Sequence, residues 1–158
     1  MKPLKTSAQK VQDGLNALGI VLEVVEMAES TRTSQEAAAA VGCEVAQIAK
    51  SLIFKTKEGQ RPVLVVASGV NRVNEKTVSA RLGEKIVRAD AAYVLEATGF
   101  AIGGIPPLRN EKYQAVLMDE DLMQYSEIWA AAGTPHAVFR LTPDQLQTVT
   151  GAVVVSIK

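Results

Sequence analysis

Apolar positions along this chain recur at two periods, and each change of period marks an element. Val11, Leu15 and Leu18 stand at helical spacing behind Ser7, so a first helix runs from Ser7 as cap to about Leu18 and stops at Gly19. Val21 to Met27 reads as a strand. Thr33 followed three residues later by Glu36 has the form of a capping box, and the alanines at 37–40 carry that helix to Gly42. A short helix is expected over Glu44–Ala49, then a strand over Ser51–Thr56. Lys57–Arg61 makes a hairpin turn, and Pro62–Ala67 returns as a strand apolar on both faces, the mark of a central position.

Asn74 caps a helix holding Val78 and Leu82 and ended by Gly83; Ile86–Arg88 is extended, and Asp90 caps a helix through about Ala97. Strands follow at Gln114–Asp119, Ile128–Ala131, His136–Leu141 and Ala152–Ile157, with a helix opened by Thr142-Pro143-Asp144 before the last of them. About six to eight strands and five or six helices, interspersed with hairpins, predict an α+β fold with a mixed sheet. No repeat or linker divides the chain, so residues 1–158 read as one domain.

One segment obeys neither period. Thr98–Pro107 ends in Gly103-Gly104-Ile105-Pro106-Pro107, two glycines that free the backbone and two prolines that stiffen it. Taken alone it reads first as a tight connector between strands. Its second reading is a rigid loop that presents bare N–H and C=O groups to a small ligand.

Composition narrows the chemistry. Lys+Arg and Asp+Glu are both 17, for a formal net charge of zero, which speaks against DNA or any nucleic acid held by bulk charge alone. The densest basic stretch, Arg72, Lys76, Arg81, Lys85 and Arg88, reads either as a local phosphate-facing patch or as a solvated helix face beside Glu75 and Glu84. A lone Cys43 fits a reducing compartment and is expected as a packed or surface thiol. The start of the chain carries no apolar leader, and no run of about 18 apolar residues would span a membrane, so the cytoplasm is expected. A Gly-x-Ser-x-Gly elbow, a phosphate-binding or dinucleotide-binding glycine loop and a metal-ligand cluster are all missing, so no metal or cofactor is expected.

Two single residues stand out. Lys50 falls at the entry to an apolar strand, where a cation is costly without a partner; the plain reading is a snorkelling side chain. His136 follows Gly133-Thr134-Pro135 at the head of a strand, and as an isolated histidine reads as structural.

Together, Ala49–Phe54, Gly103–Pro107 and Ala132–His136 occur in the order and spacing of the YbaK/ProX family, which this chain resembles from about Thr33 to Ile157. Members are freestanding relatives of the editing (insertion) domain of prolyl-tRNA synthetase. The resemblance implies a mixed, barrel-like sheet surrounded by helices. It also implies hydrolysis of an aminoacyl ester from the acceptor end of a mischarged tRNA, foremost tRNA(Pro), with prolyl-tRNA synthetase as a possible partner. By motif, Lys50 and Gly103 take the catalytic positions, and Gly104, Ile105, Pro106, Pro107 and His136 bind substrate. Ile53 and Phe54 are candidates to line the amino-acid pocket, and Arg72, Lys76 and Arg81 to contact tRNA. An aminoacyl ester is already activated, so an oriented water and oxyanion stabilisation suffice, with no covalent nucleophile expected at Ser51 or Cys43. The rival readings are a non-catalytic module of the same fold that docks on tRNA or a synthetase, and a hydrolase of small acyl esters unrelated to tRNA.

Overall fold

The two-faced apolar run becomes the middle of the molecule. In a computed structural model that describes residues 4–158, Pro62–Ser68 forms β3, hydrogen-bonded to β2 (Ile48–Thr56) on one side and β5 (Ala115–Asp119) on the other. With β1 (Val24–Glu26), β4 (Ile86–Arg88), β6 (Ile128–Ala131), β7 (Ala137–Leu141) and β8 (Val153–Val155) they build an eight-stranded mixed sheet. Its order is β1-β7-β6-β2-β3-β5-β8, with β4 joined to β2. β2 meets β3 antiparallel and β6 parallel, whereas β3–β5 and β5–β8 are parallel.

Both faces of β3 are dry: Val63, Leu64, Val65, Val66 and Ala67 have no exposed surface. Leu64 and Val66 join the main core with Ala8, Val11 and Leu15 of α1 (Thr6–Ala17), Val94 of α4 (Ala91–Thr98), and Leu146 and Val149 of α5 (Pro143–Thr150). Val63, Val65 and Ala67 face a second cluster containing Val78 of α3 (Glu75–Leu82), Ile86 and Ile157. A third cluster packs α2 (Ser34–Val41) on Ile48 and Trp129. The α+β expectation and the mixed sheet among helices hold.

Four helices begin at the caps expected of them. Thr33 accepts from Glu36 N (3.1 Å), Asn74 from Lys76 N (3.0 Å), Asp90 from Tyr93 N (2.8 Å) and Thr142 from Gln145 N (3.1 Å). Each such bond satisfies a donor that the helix cannot, worth about 1 kcal/mol.

Local differences have local causes. α1 begins two residues earlier, so Ser7 lies inside it and Lys5 occupies the cap position without a side-chain bond. The strand expected over 21–27 contracts to Val24–Glu26: the Gln12 amide donates to Leu22 O (2.9 Å) and accepts from Val24 N (2.9 Å), taking backbone groups that a strand partner would use. The helix expected over Glu44–Ala49 is only a 3₁₀ turn, Val45–Gln47, because Ile48 and Ala49 pair with Trp129 and Ala130 and start β2 early. β8 stops at Val155, and Ile157 O caps the sheet differently, accepting from Asn74 N (2.7 Å). A 3₁₀ stretch at Glu120–Gln124, capped by Asp119, has no counterpart in the sequence reading. Among the described residues no helix is long and apolar enough to cross a membrane. Met1 to Pro3, part of the stretch behind the no-leader expectation, lie outside the described residues.

Candidate functional site

β2 has one edge fully paired and one edge broken. β3 covers Ala49 to Lys55, while on the opposite edge β6 covers only Ile48–Ala49 and β4 only Phe54–Thr56. Lys50 to Ile53 therefore have no strand partner there, an opening of about 13 Å at the usual rise per residue. Hydrogen bonding in an antiparallel pair alternates between residues. Gly69 N donates to Ile48 O (2.8 Å) and Thr56 N to Arg61 O (2.9 Å), so the even-numbered residues of β2 bond toward β3. The N–H and C=O groups of Ser51 and Ile53 then point into the opening.

The glycine–proline loop stands over this gap. Ile102 and Ile105 line two adjoining cavities, and both cavities also touch Lys50, Ser51 and Leu52. The first, about 280 Å³, is walled by Ile48, Ala49 and Trp129 with Gly103 and Thr31–Ser34 at its side. The second, about 270 Å³, is bounded by Ile53, Phe54, Arg72 and Arg88. Each lies near the small end of the roughly 300–1,000 Å³ usual for ligand pockets, which suits a group the size of one amino acid.

Close backbone packing fixes the loop. Gly104, Ile105, Pro106 and Pro107 are buried. Gly103 has φ +91°, and a Cβ there would lie 2.6 Å from Arg32 Cγ, so the arginine stem occupies the space a side chain would take. Gly133 N donates to Gly104 O (2.8 Å), tying the loop to the turn before β7.

Lys50 is half-buried, and its ammonium has no salt bridge or hydrogen bond among the described residues. Burial pushes its ammonium below the usual lysine range; Arg72 pushes the same way and the Asp119 carboxylate opposes both. Asp119 is itself wholly buried and accepts from Ser68 N (3.0 Å), Asn71 Nδ2 (2.8 Å) and Asp121 N (2.9 Å). The cation is thus held near a fixed negative charge but is not consumed by it.

Ser51 is the site's anomaly. Its Oγ is buried without a hydrogen-bond partner, the one such side-chain atom among the described residues. An unpaired buried hydroxyl costs about 1–3 kcal/mol.

Of the sequence candidates, Lys50, Gly103, Ile105, Ile53 and Phe54 line one or both of these cavities. Gly104, Pro106 and Pro107 lie behind the loop surface and do not line either cavity. His136 also stands outside them: Nδ1 bonds Glu29 O (2.9 Å) and its carbonyl accepts from Met27 N (2.7 Å), which fastens the segment leading to Thr31. Arg72 reaches the second cavity, whereas Lys76 and Arg81 are exposed on α3 away from the lining. Arg88 lines the same cavity and pairs with Glu75 at 3.5 Å. Arg32 and Trp129 were not among the sequence candidates; they reach the first cavity only through folding, and no local pattern announces them. Cys43 is half-buried against the third cluster, and burial raises its thiol pKa, so it stays protonated. No group of three His, Cys, Asp or Glu able to hold a metal ion occurs among the described residues.

Comparison with other proteins agrees with this geometry. The chain is 32% identical over 124 residues to the uncharacterized protein YwhH of Bacillus subtilis, covering 78% of each. It is 34% identical over 94 residues to a proline–tRNA ligase of Limosilactobacillus fermentum, covering 57% of this chain and 16% of the ligase. A solved structure described as a candidate trans-editing enzyme for prolyl tRNA synthetase superposes with a TM-score of 0.91 at 45% identity, over 99% of both chains. The aminoacyl-tRNA editing domain family matches residues 28–149, a span that holds the open edge of β2, the loop above it and the Gly133 turn; the chain belongs to that family.

Proposed function

We propose that this protein is a cytoplasmic trans-editing deacylase that hydrolyses the ester of a wrong amino acid on tRNA, foremost tRNA(Pro). The observation that carries the reading is the opening in β2. It combines unpaired backbone donors and acceptors, the half-buried Lys50 ammonium and a cavity of amino-acid size. The kinship with a proline–tRNA ligase and with the candidate trans-editing enzyme supports the choice of tRNA.

Charge orients the substrate. An aminoacyl ester carries an α-ammonium, which Lys50 repels and the free C=O groups of Ser51 and Ile53 accept. The ester carbonyl and the terminal phosphate are the groups left for Lys50 and for the free N–H groups. The amino-acid side chain enters the first cavity, and the terminal nucleotide lies along the second, where Arg72 and Arg88 offer charge to phosphate.

A water attacks the ester carbonyl, and the developing oxyanion is held by Lys50 and the edge N–H groups. Collapse of the tetrahedral intermediate breaks the bond to the ribose oxygen, which takes up a proton as the free amino acid leaves. Neither Ser51 nor Cys43 forms an acyl-enzyme.

Deacylation of tRNA(Pro) charged with Ala, 2-aminobutyrate, Ser, Thr, Cys or Pro tests this directly. We expect release of one or two wrong amino acids, sparing of Pro-tRNA(Pro), and a fall of about 10²-fold or more for Lys50→Ala. Binding of every charged tRNA with release from none would replace the deacylase by a docking module.

A further inference from the structure

We propose that the Ser51 hydroxyl is the group that selects the amino acid, by hydrogen-bonding a hydroxyl on the substrate side chain, so that the preferred substrates are esters of hydroxy amino acids. The inference rests on the deacylase reading and adds the substrate class to it.

Four observations meet at this residue. Ser51 Oγ is buried and has no partner. Ser51 lines both cavities, next to Lys50. Side chains of a strand alternate between faces, so Ser51 shares its face with Ala49 and Ile53, which are 1% and 7% exposed and belong to the main core. The neighbours in that row are hydrocarbon, and so is Ile105 of the loop, 3% exposed in the same core cluster.

The other hydroxyls of the first cavity behave differently. Thr31 Oγ1 donates to Pro135 O (3.1 Å), and Thr33 Oγ1 is engaged with Glu36 at the start of α2. Ser68, the nearest serine in the paired strand register, donates to Ala46 O (2.7 Å). Ser34 lines the same cavity but is only partly buried, so Ser51 is the buried hydroxyl there that keeps donor and acceptor capacity, at the junction where an amino-acid side chain would pass from ester to pocket. A substrate hydroxyl satisfies it. A substrate with a methyl or ethyl side chain leaves it unpaired, which is how a site built around a polar group rejects an analogue lacking the matching one.

The test uses two pairs that differ by one hydroxyl, Ser against Ala and Thr against 2-aminobutyrate, each charged on tRNA(Pro). Wild type should show kcat/KM about tenfold higher for the hydroxylated member of at least one pair, the size of a single neutral hydrogen bond. Ser51→Ala should bring that ratio within about twofold of unity, the hydroxylated member losing its advantage. Ser51→Cys, close in shape and a weaker donor, should fall between.

A ratio unchanged in Ser51→Ala overturns the proposal, as does a wild-type preference for the unhydroxylated members. Loss of all four activities together assigns Ser51 to the ester or to folding and overturns it too. Affinity for non-hydrolysable 3′-seryl-amide and 3′-alanyl-amide adenosine is the second measurement. A tenfold seryl preference that Ser51→Ala abolishes supports selection even if no tRNA is deacylated, in which case only the deacylase reading fails. Equal affinities in wild type overturn selection and leave that reading standing.

Discussion

The backbone N–H of Gly133 donates to the carbonyl of Gly104 at 2.8 Å, and this one bond joins the loop over the β2 opening to the turn before β7. The approach depends on a bare Gly104, and the seat of the turn against α1 depends on a bare Gly133. A Cβ on Gly104 would sit 3.0–3.1 Å from the backbone C, O and N of Gly133–Thr134, and one on Gly133 would sit 2.6 Å from Ser7 O. Gly133 also holds φ +94°, which L-residues rarely adopt.

Gly133→Ala should therefore destabilise the protein by more than Gly104→Ala. The left-handed backbone alone costs about 1–3 kcal/mol, and the contact with Ser7 adds to it. Gly104→Ala should keep most of the stability yet reduce deacylation, because its backbone neighbours must shift by a few tenths of an ångström and carry Ile105 with them. Urea unfolding and deacylation rates on the same preparations separate the two effects.

Lys50 should titrate below the ordinary lysine range, and removing a neighbouring positive charge should bring it back up. Burial is the main cause of the depression and Arg72 the second, so Arg72→Ala should raise the value without restoring it fully. The ammonium is the form that holds an oxyanion, so the protein-dependent rate should decline as pH rises through the lowered pKa. Spontaneous ester hydrolysis, which climbs with hydroxide, has to be subtracted. Stability follows with the opposite sign: a folded-state pKa below the unfolded one makes this group's contribution grow as pH rises through the window and disappear as pH falls through the folded value. NMR titration of the labelled lysine side chain gives the pKa in both proteins.

Arg72→Glu should weaken binding of uncharged and charged tRNA alike, without changing which amino acid is released. If Arg72 meets one phosphate, the slope of log K against log salt should shrink by about one in magnitude. Lys76→Glu and Arg81→Glu, on the exposed face of α3 away from the lining, should change that slope less.

Much of this arrangement is legible in the sequence, and the part that is not has a common cause. The caps Thr33, Asn74, Asp90 and Thr142 and the two-faced apolar run of β3 are local signals, and the fold obeys them. Lys50 and the glycine–proline loop are legible as segments. What the sequence hides is the opening itself, because it exists only where β6 and β4, separated from β2 and from each other along the chain, each stop short of Lys50–Ile53. Arg32 and Trp129 enter the first cavity by the same long-range pairing. His136 shows the converse: its motif is plain, yet its Nδ1 bonds the Glu29 carbonyl and the residue lines neither cavity.

Asp119 offers the strongest test that the buried core tunes the site. It ends β5, with β3 between it and β2, and is wholly buried with three donors aimed at its carboxylate. Asp119→Ala leaves those donors without an acceptor, at about 1–3 kcal/mol each, and should destabilise the protein severely. Asp119→Asn keeps the shape and removes the charge. Because Asp119 raises the Lys50 pKa while Arg72 lowers it, Asp119→Asn should depress Lys50 further, opposite in sign to Arg72→Ala. The double variant should fall between the two singles if both act through their charge. A Lys50 titration that moves in the same direction in both single variants would mean that the site senses rearrangement of β2 rather than the fields of these two residues.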